Sequence, residues 1–118
     1  MYTISKQYHF SASHQLMGLS GDHPCARLHG HNYIVEVELQ SNTLNAHGFV
    51  RDYRELDALK NYIDETLDHR HLNEILGEDK TTAEHLARHF FDWCRKKWPE
   101  VSAVRVSETP RTWAEYRG

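Results

Sequence analysis

His14, His29 and His31, with Cys25 four residues ahead of His29, are the residues whose types and spacing carry chemistry in this chain. His29 and His31 flank Gly30. Two residues apart on an extended strand, their side chains leave one face with Cα atoms about 6.5 Å apart, close enough for two imidazoles to meet at one ion. His-x-His alone is a weak signal. It strengthens when His14 falls at the inward end of a neighbouring strand, because three neutral imidazoles fill three positions of a tetrahedral zinc and leave the fourth open. That is the stoichiometry of a catalytic centre rather than a structural one. The competing reading is three hydrogen-bonded histidines at a sheet end. Cys25 lies in a loop, where a thiol near zinc and imidazole is drawn toward thiolate and serves as base or nucleophile. As a fourth ligand it would instead close the site.

Three further places bear on the same chemistry. Asp68-His69-Arg70-His71-Leu72-Asn73 sits where a helix should end. An aspartate beside an imidazole fixes its tautomer, so Asp68 and His69 brought near Cys25 would make a proton-transfer set, against the alternative that they only cap the helix. His71 and Asn73 carry no comparable argument. Glu108 shares the parity of Val104 and Val106. A carboxylate on an apolar strand face needs a partner, either an arginine or a ligand with paired N–H donors such as a guanine-like or pterin ring edge. Thr82 is a candidate for substrate contact, although both it and Thr81 read more strongly as helix caps.

The elements that position these residues follow from periodicity. Tyr2, Ile4, Tyr8, Phe10 and Ala12 alternate with polar residues as far as His14, and His29, His31, Tyr33, Val35, Val37 and Leu39 repeat the pattern, so two half-buried strands are expected with the histidines on the inward face. Asp52 and Glu55 are spaced like a capping box ahead of Leu56, Leu59, Ile63 and Leu67, which predicts a helix from about Tyr53 to Leu67. Thr81-Thr82-Ala83-Glu84 offers a second box before an apolar stripe through Cys94 to Trp98, ahead of Pro99. Val101–Thr109 alternates again, and a turn at Pro110-Arg111 leads into Thr112–Tyr116. The order β, β, α, α, β, β predicts an α+β domain: a four-stranded, mainly antiparallel sheet with a helix pair on one face. Its two open edges need protection, which closure with other subunits into a barrel would supply.

Composition narrows the partners. With 118 residues, 39% of them apolar and 26% charged, one domain spanning 1–118 is expected. A net charge of −3 argues against nucleic acid or an acidic membrane and for a small ligand. No apolar run is long enough to span a bilayer and Met1–Lys6 lacks a signal-peptide core, so a cytoplasmic location is expected. Cys25 and Cys94 are expected to be free thiols.

In sequence order, the His14 position, Cys25-Ala26-Arg27-Leu28-His29-Gly30-His31, Asp52–Leu56, Leu67–Asn73, Thr81–Glu84 and Glu108–Tyr116 resemble the 6-pyruvoyltetrahydropterin synthase family over nearly the whole chain. The three residues between the cysteine and His-Gly-His resemble the branch of 6-carboxytetrahydropterin synthases of queuosine biosynthesis. The pyruvoyl branch usually carries a longer insert, and another branch has glutamate in place of the cysteine. The resemblance implies a tunnelling fold, a homo-oligomer in which three subunits join their sheets into a barrel, two rings stack into a hexamer, and active sites form between subunits. It implies that His14, His29 and His31 hold Zn2+, that Cys25 is the base with Asp68 and His69 as its counterpart, and that Glu108 anchors the pterin. The implied reaction converts 7,8-dihydroneopterin triphosphate to 6-carboxy-5,6,7,8-tetrahydropterin, acetaldehyde and triphosphate. Arg27, Arg51, Lys80 and Arg117 are available to hold the phosphates, and His23 is unassigned. The alternatives are a pyruvoyl or sepiapterin-cleaving member of the family and, of another class, a non-catalytic zinc-stabilised pterin-binding module with Cys25 as fourth ligand.

Overall fold

Alternation over thirteen residues gives each of the first two strands one apolar and one polar face, and the pair forms the spine of the sheet. In the computed structural model, which describes residues 1–118, strand β1 (Tyr2–His14) runs antiparallel to β2 (His29–Ser41) in unbroken register from Tyr2↔Ser41 to His14↔His29. A 3-10 turn at Tyr53–Leu56 leads into α1 (Asp57–Thr66). Then follow β3 (Arg70–His71), α2 (Leu72–Leu76), α3 (Ala83–Lys97), β4 (Val101–Thr109) and β5 (Thr112–Tyr116). The sheet order is β3-β1-β2-β4-β5. The helices cover the face that carries Phe10, Tyr33, Val35, Val37, Val104 and Val106, and Leu59, Ile63, Leu86, Phe90 and Cys94 close the core from above. Burial pushes the Cys94 thiol up to about 12, as suits a thiol packed as an apolar group. Both cysteines are unpaired. No helix is long and apolar enough to cross a membrane.

The α+β layout and the strand limits follow the sequence pattern, with four differences. The sheet has five strands, because the chain leaving α1 adds the two-residue β3 parallel to β1 at Ala12↔Arg70 and Ser13↔His71. A short α2 then forms, too brief for periodicity to reveal. The expected helix over Tyr53–Leu67 opens as a 3-10 turn in which Asp52 accepts from the Arg54 N–H at 2.9 Å, while Glu55 turns to Arg51 instead of completing the box. At α3 the cap is Thr82, one residue later than a Thr81–Glu84 box requires; its hydroxyl accepts from the His85 N–H at 3.2 Å.

The opposite face of the sheet is polar and cross-linked. Glu38, 6% exposed, receives Arg105 and Arg117 at 2.8 Å each and the Ser102 hydroxyl at 2.6 Å, and Arg105 also reaches Glu36 and Glu115. Burial alone would raise the Glu38 pKa, but the donors from Arg105, Ser102 and Arg117 outweigh it and hold the carboxyl at about 2. A carboxylate depressed on folding stabilises the protein above its ordinary value near 4.5 and loses that contribution as pH falls toward 2. Glu38→Ala is therefore expected to cost roughly 2–3 kcal/mol at pH 7, less than a fully buried pair because both arginines keep some solvent. Urea unfolding at pH 7 and pH 3 checks this: the difference between variant and parent should shrink at the lower pH.

Candidate metal centre and active site

The β1–β2 register places His14 directly opposite His29, with His31 two residues on along the same face. Cross-strand partners in an antiparallel pair have Cβ atoms about 4.5–5.5 Å apart, so the three imidazoles converge by strand geometry alone. Their ring centroids lie 4.5, 5.1 and 4.9 Å apart and their ligating nitrogens all fall within 4.8 Å of one another. Small side-chain shifts bring such a set onto one cation with bonds of about 2.0–2.1 Å.

Main-chain carbonyls orient the rings. His14 Nδ1 lies 2.8 Å from the Thr81 carbonyl and His29 Nδ1 lies 2.7 Å from the Arg27 carbonyl. A proton held on Nδ1 by a carbonyl leaves the Nε2 lone pair for a metal, the outer-shell arrangement that metal-ligating histidines commonly have. Burial lowers the pKa of His14 and His31, which favours the neutral, ligating form. The Nε2 atoms of all three histidines are buried without a hydrogen-bond partner. Orphaned buried nitrogens cost free energy unless something completes them, and three convergent imidazole lone pairs suit a divalent transition metal. The trio can hold a metal ion.

The other expected residues are distributed around this centre. Cys25 sits in a 3-10 turn, Pro24–Ala26, where its N–H donates to His23 Nδ1 at 3.0 Å; its sulfur is not part of the convergent set. His23 thus serves as the cap of that turn. Glu108 is 24% exposed and its Oε2 lies 3.3 Å from His31 Nε2, beside a cavity of about 220 Å³ lined also by Ala83, Glu84 and Thr112. Asp68 and His69 pair at 2.9 Å. The Ser11 N–H donates to Asp68 at 2.9 Å, the leading cause of a lowered Asp68 pKa, and the His69 N–H donates to the Ser11 carbonyl at 2.6 Å. His69 adopts φ 60°, a left-handed conformation usual for glycine after a helix, and its ring is 82% exposed. It faces a cavity of about 450 Å³ with Ser11, Ser13, Asn32 and His71, which Cys25 does not line. Within one chain, then, Cys25 shares neither that cavity nor a hydrogen bond with the Asp68–His69 pair.

Thr82 acts as the α3 cap, with its hydroxyl also 2.9 Å from His85 Nδ1, and lines a cavity apart from that of Glu108. Of the four candidate cations, Arg51 is committed to Glu100 and Glu55, and Arg117 to Glu38 and Glu115. Arg27 and Lys80 make no ion pair, and both flank the centre: Arg27 supplies the carbonyl to His29, and Lys80 precedes Thr81, which supplies the carbonyl to His14. Sequence reasoning missed the Thr81 and Arg27 carbonyls, because main-chain acceptors leave no mark in residue type.

Gly30 is the point at which this geometry is most sensitive. A Cβ there would stand 3.2 Å from the Ala12 carbonyl oxygen, against the β1 main chain. Gly30→Ala is expected to push β2 off β1 beside the histidines and to weaken binding of a divalent metal about ten-fold or more, measured by competition with a chromophoric chelator, while circular dichroism stays that of a folded sheet.

A family model described as 6-pyruvoyl tetrahydropterin synthase matches residues 3–118. A Synechocystis sp. protein named 6-carboxy-5,6,7,8-tetrahydropterin synthase is 34% identical over 122 aligned residues, covering 98% of this chain and 93% of that one. A 6-pyruvoyl tetrahydrobiopterin synthase of Drosophila melanogaster is 34% identical over 97 residues, covering 76% of this chain and 58% of its own. The solved structure of the Caenorhabditis elegans 6-pyruvoyl tetrahydropterin synthase superposes with a TM-score of 0.86 at 26% identity, over 99% of this chain and 95% of that one. The likeness runs almost end to end, so the elements that converge on the histidine trio lie inside it, and the chain belongs to the 6-pyruvoyl tetrahydropterin synthase family.

Proposed function

We propose that the protein is a zinc-dependent 6-carboxy-5,6,7,8-tetrahydropterin synthase of queuosine biosynthesis, a cytoplasmic lyase acting on 7,8-dihydroneopterin triphosphate. The observation that carries this reading is the set of three buried, unpartnered imidazole nitrogens on a chain whose relatives include proteins named for that activity. His14, His29 and His31 are the zinc ligands. Zinc held by three neutral imidazoles supplies a Lewis acid that polarises the side-chain oxygens of the substrate.

The chain's own groups do the rest. Glu108, half-buried at its cavity, receives the N–H groups of the pterin edge and fixes the ring; Thr82 lies at the neighbouring end of α3. Cys25 removes a proton from the substrate side chain, and His69, oriented by Asp68, moves protons on the other side of the reacting carbons. Arg27 and Lys80, the two uncommitted cations beside the centre, hold the triphosphate. Cys25 and His69 share no cavity within one chain, which supports active sites assembled between subunits. The sheet also offers edges for that assembly: β3 covers only the Ala12–Ser13 end of β1, and β5 is the last strand on the other side. Three sheets joined into a barrel, and two such rings stacked, would bring the halves together and protect the edges.

The Drosophila relative, named for the pyruvoyl reaction, supports a second reading in which the same site makes 6-pyruvoyltetrahydropterin. Product analysis separates the two: the leading reading expects acetaldehyde and triphosphate in equal amounts, lost after chelation and restored by zinc. A pyruvoyl product without acetaldehyde overturns it. Cys25→Ala is expected to keep one zinc per chain and to lose about 10²–10⁴-fold in turnover. Loss of zinc from that variant would identify Cys25 as a ligand instead. His69→Gly removes the imidazole at a backbone conformation that glycine favours, so kcat should fall by a similar factor while the melting temperature holds or rises.

A further inference from the structure

Buried side-chain polar atoms without a partner occur at five places in this chain, and three of them are the Nε2 atoms of the histidine trio. The other two are the hydroxyls of Tyr33 and Thr81. Tyr33 is 0% exposed, a β2 residue two positions beyond His31, stacked on Phe10 with centroids 4.8 Å apart. Its ring meets His31 edge-on at 5.5 Å and His14 at 6.1 Å. A phenylalanine would fill the same space, so the hydroxyl is a cost to the fold unless it finds an acceptor.

The register points to Glu108 as the acceptor: β2 pairs with β4 at Ile34↔Ser107, so Tyr33 and Glu108 are the next positions along the two strands. Glu108 Oε2 lies 3.3 Å from His31 Nε2, so His31 is flanked by the Tyr33 ring and by the Glu108 carboxylate. A cation held by His14, His29 and His31 needs the Nε2 lone pair, and His31 then has no proton to offer Glu108 on that side. On that side the carboxylate has room for another donor, and the Tyr33 hydroxyl has no acceptor.

We propose that Tyr33 is a positioning residue of this site: when a metal occupies the histidine trio, its hydroxyl donates to Glu108 and sets the carboxylate to receive the N–H edge of a pterin-like ring. The donor is a phenol, whose ordinary pKa of about 10 leaves it its proton at neutral pH. Metal binding and ring binding are thereby linked, since a cation on His31 removes the one side-chain donor near that carboxylate oxygen and leaves Tyr33 to supply it. The proposal rests on the zinc-site reading above.

The test uses Tyr33→Phe, Glu108→Ala and the double variant, each metal-free and zinc-loaded. Tyr33→Phe keeps the ring and its stacking. It is expected to leave zinc content unchanged and to hold or raise the melting temperature of the metal-free protein. The zinc-loaded protein should melt about 3–5 °C lower, the size of one hydrogen bond in a domain of this length. In the Glu108→Ala background the zinc-dependent loss should vanish. In the same variants the dissociation constant of neopterin, read by its own fluorescence, should rise about five-fold for Tyr33→Phe and show no further rise on adding that change to Glu108→Ala. Equal melting shifts with and without zinc, a loss that persists in the Glu108→Ala background, or no loss at all overturns the proposal. If the parent protein binds no pterin, the proposed function fails, and the melting comparison still decides the role of Tyr33.

Discussion

The register of β1 against β2 is the constraint on which the rest depends. Side chains on a strand alternate with a period of two, so a slip of one residue would send His29 and His31 to the polar face and leave His14 alone among the helices. Thirteen consecutive pairs hold the register, with Phe10, Ala12, Tyr33, Val35 and Val37 all requiring the covered face. The convergence of the three histidines is therefore a by-product of core packing, set at the point where the apolar stripe runs out. Gly30 belongs to the same constraint, since its missing side chain lets β2 lie against the Ala12 carbonyl between the two histidines.

A folded domain normally satisfies nearly all of its buried polar groups, and this one concentrates its exceptions in one place. The orphaned atoms are the three imidazole nitrogens, the Tyr33 hydroxyl and the Thr81 hydroxyl, whose own residue orients His14 through its carbonyl. Elsewhere even awkward groups are paired: Glu38 has two arginines and a serine, and Asp57 receives Lys6 and Tyr8 at 2.8 Å each. Unsatisfied polarity confined to a single site is what a ligand-binding centre looks like before the ligand's contribution is counted. Burial disfavours the charged form of His14 and His31, the same low polarity that strengthens any bond made to an ion.

The turn after α1 shows how the fold prepares a group without burying it. Asp68 accepts from the β1 main chain and from His69, while the His69 main chain donates back to Ser11, so the imidazole is aimed by two strand contacts although most of its surface meets solvent. An exposed, oriented histidine gains its environment from whatever docks against it. That fits the proposal that a second subunit completes the site, and it matches a sheet whose outer strands remain open for pairing.

The sequence by itself determined the α+β layout, the two long strands and the inward parity of His14, His29, His31 and Glu108, because periodicity and residue type are local properties. It also carried the family likeness, which the match over residues 3–118 bears out. It did not disclose β3 or α2, whose two and five residues are too short for a period to register and which form only because the chain leaving α1 meets an unpaired stretch of β1. Nor did it tell committed cations from free ones, the Thr81 and Arg27 carbonyls from other backbone, or that Tyr33 carries a hydroxyl without a partner. Those depend on which groups meet across the fold, and distances between residues far apart in the chain are decided only when the helices close over the sheet.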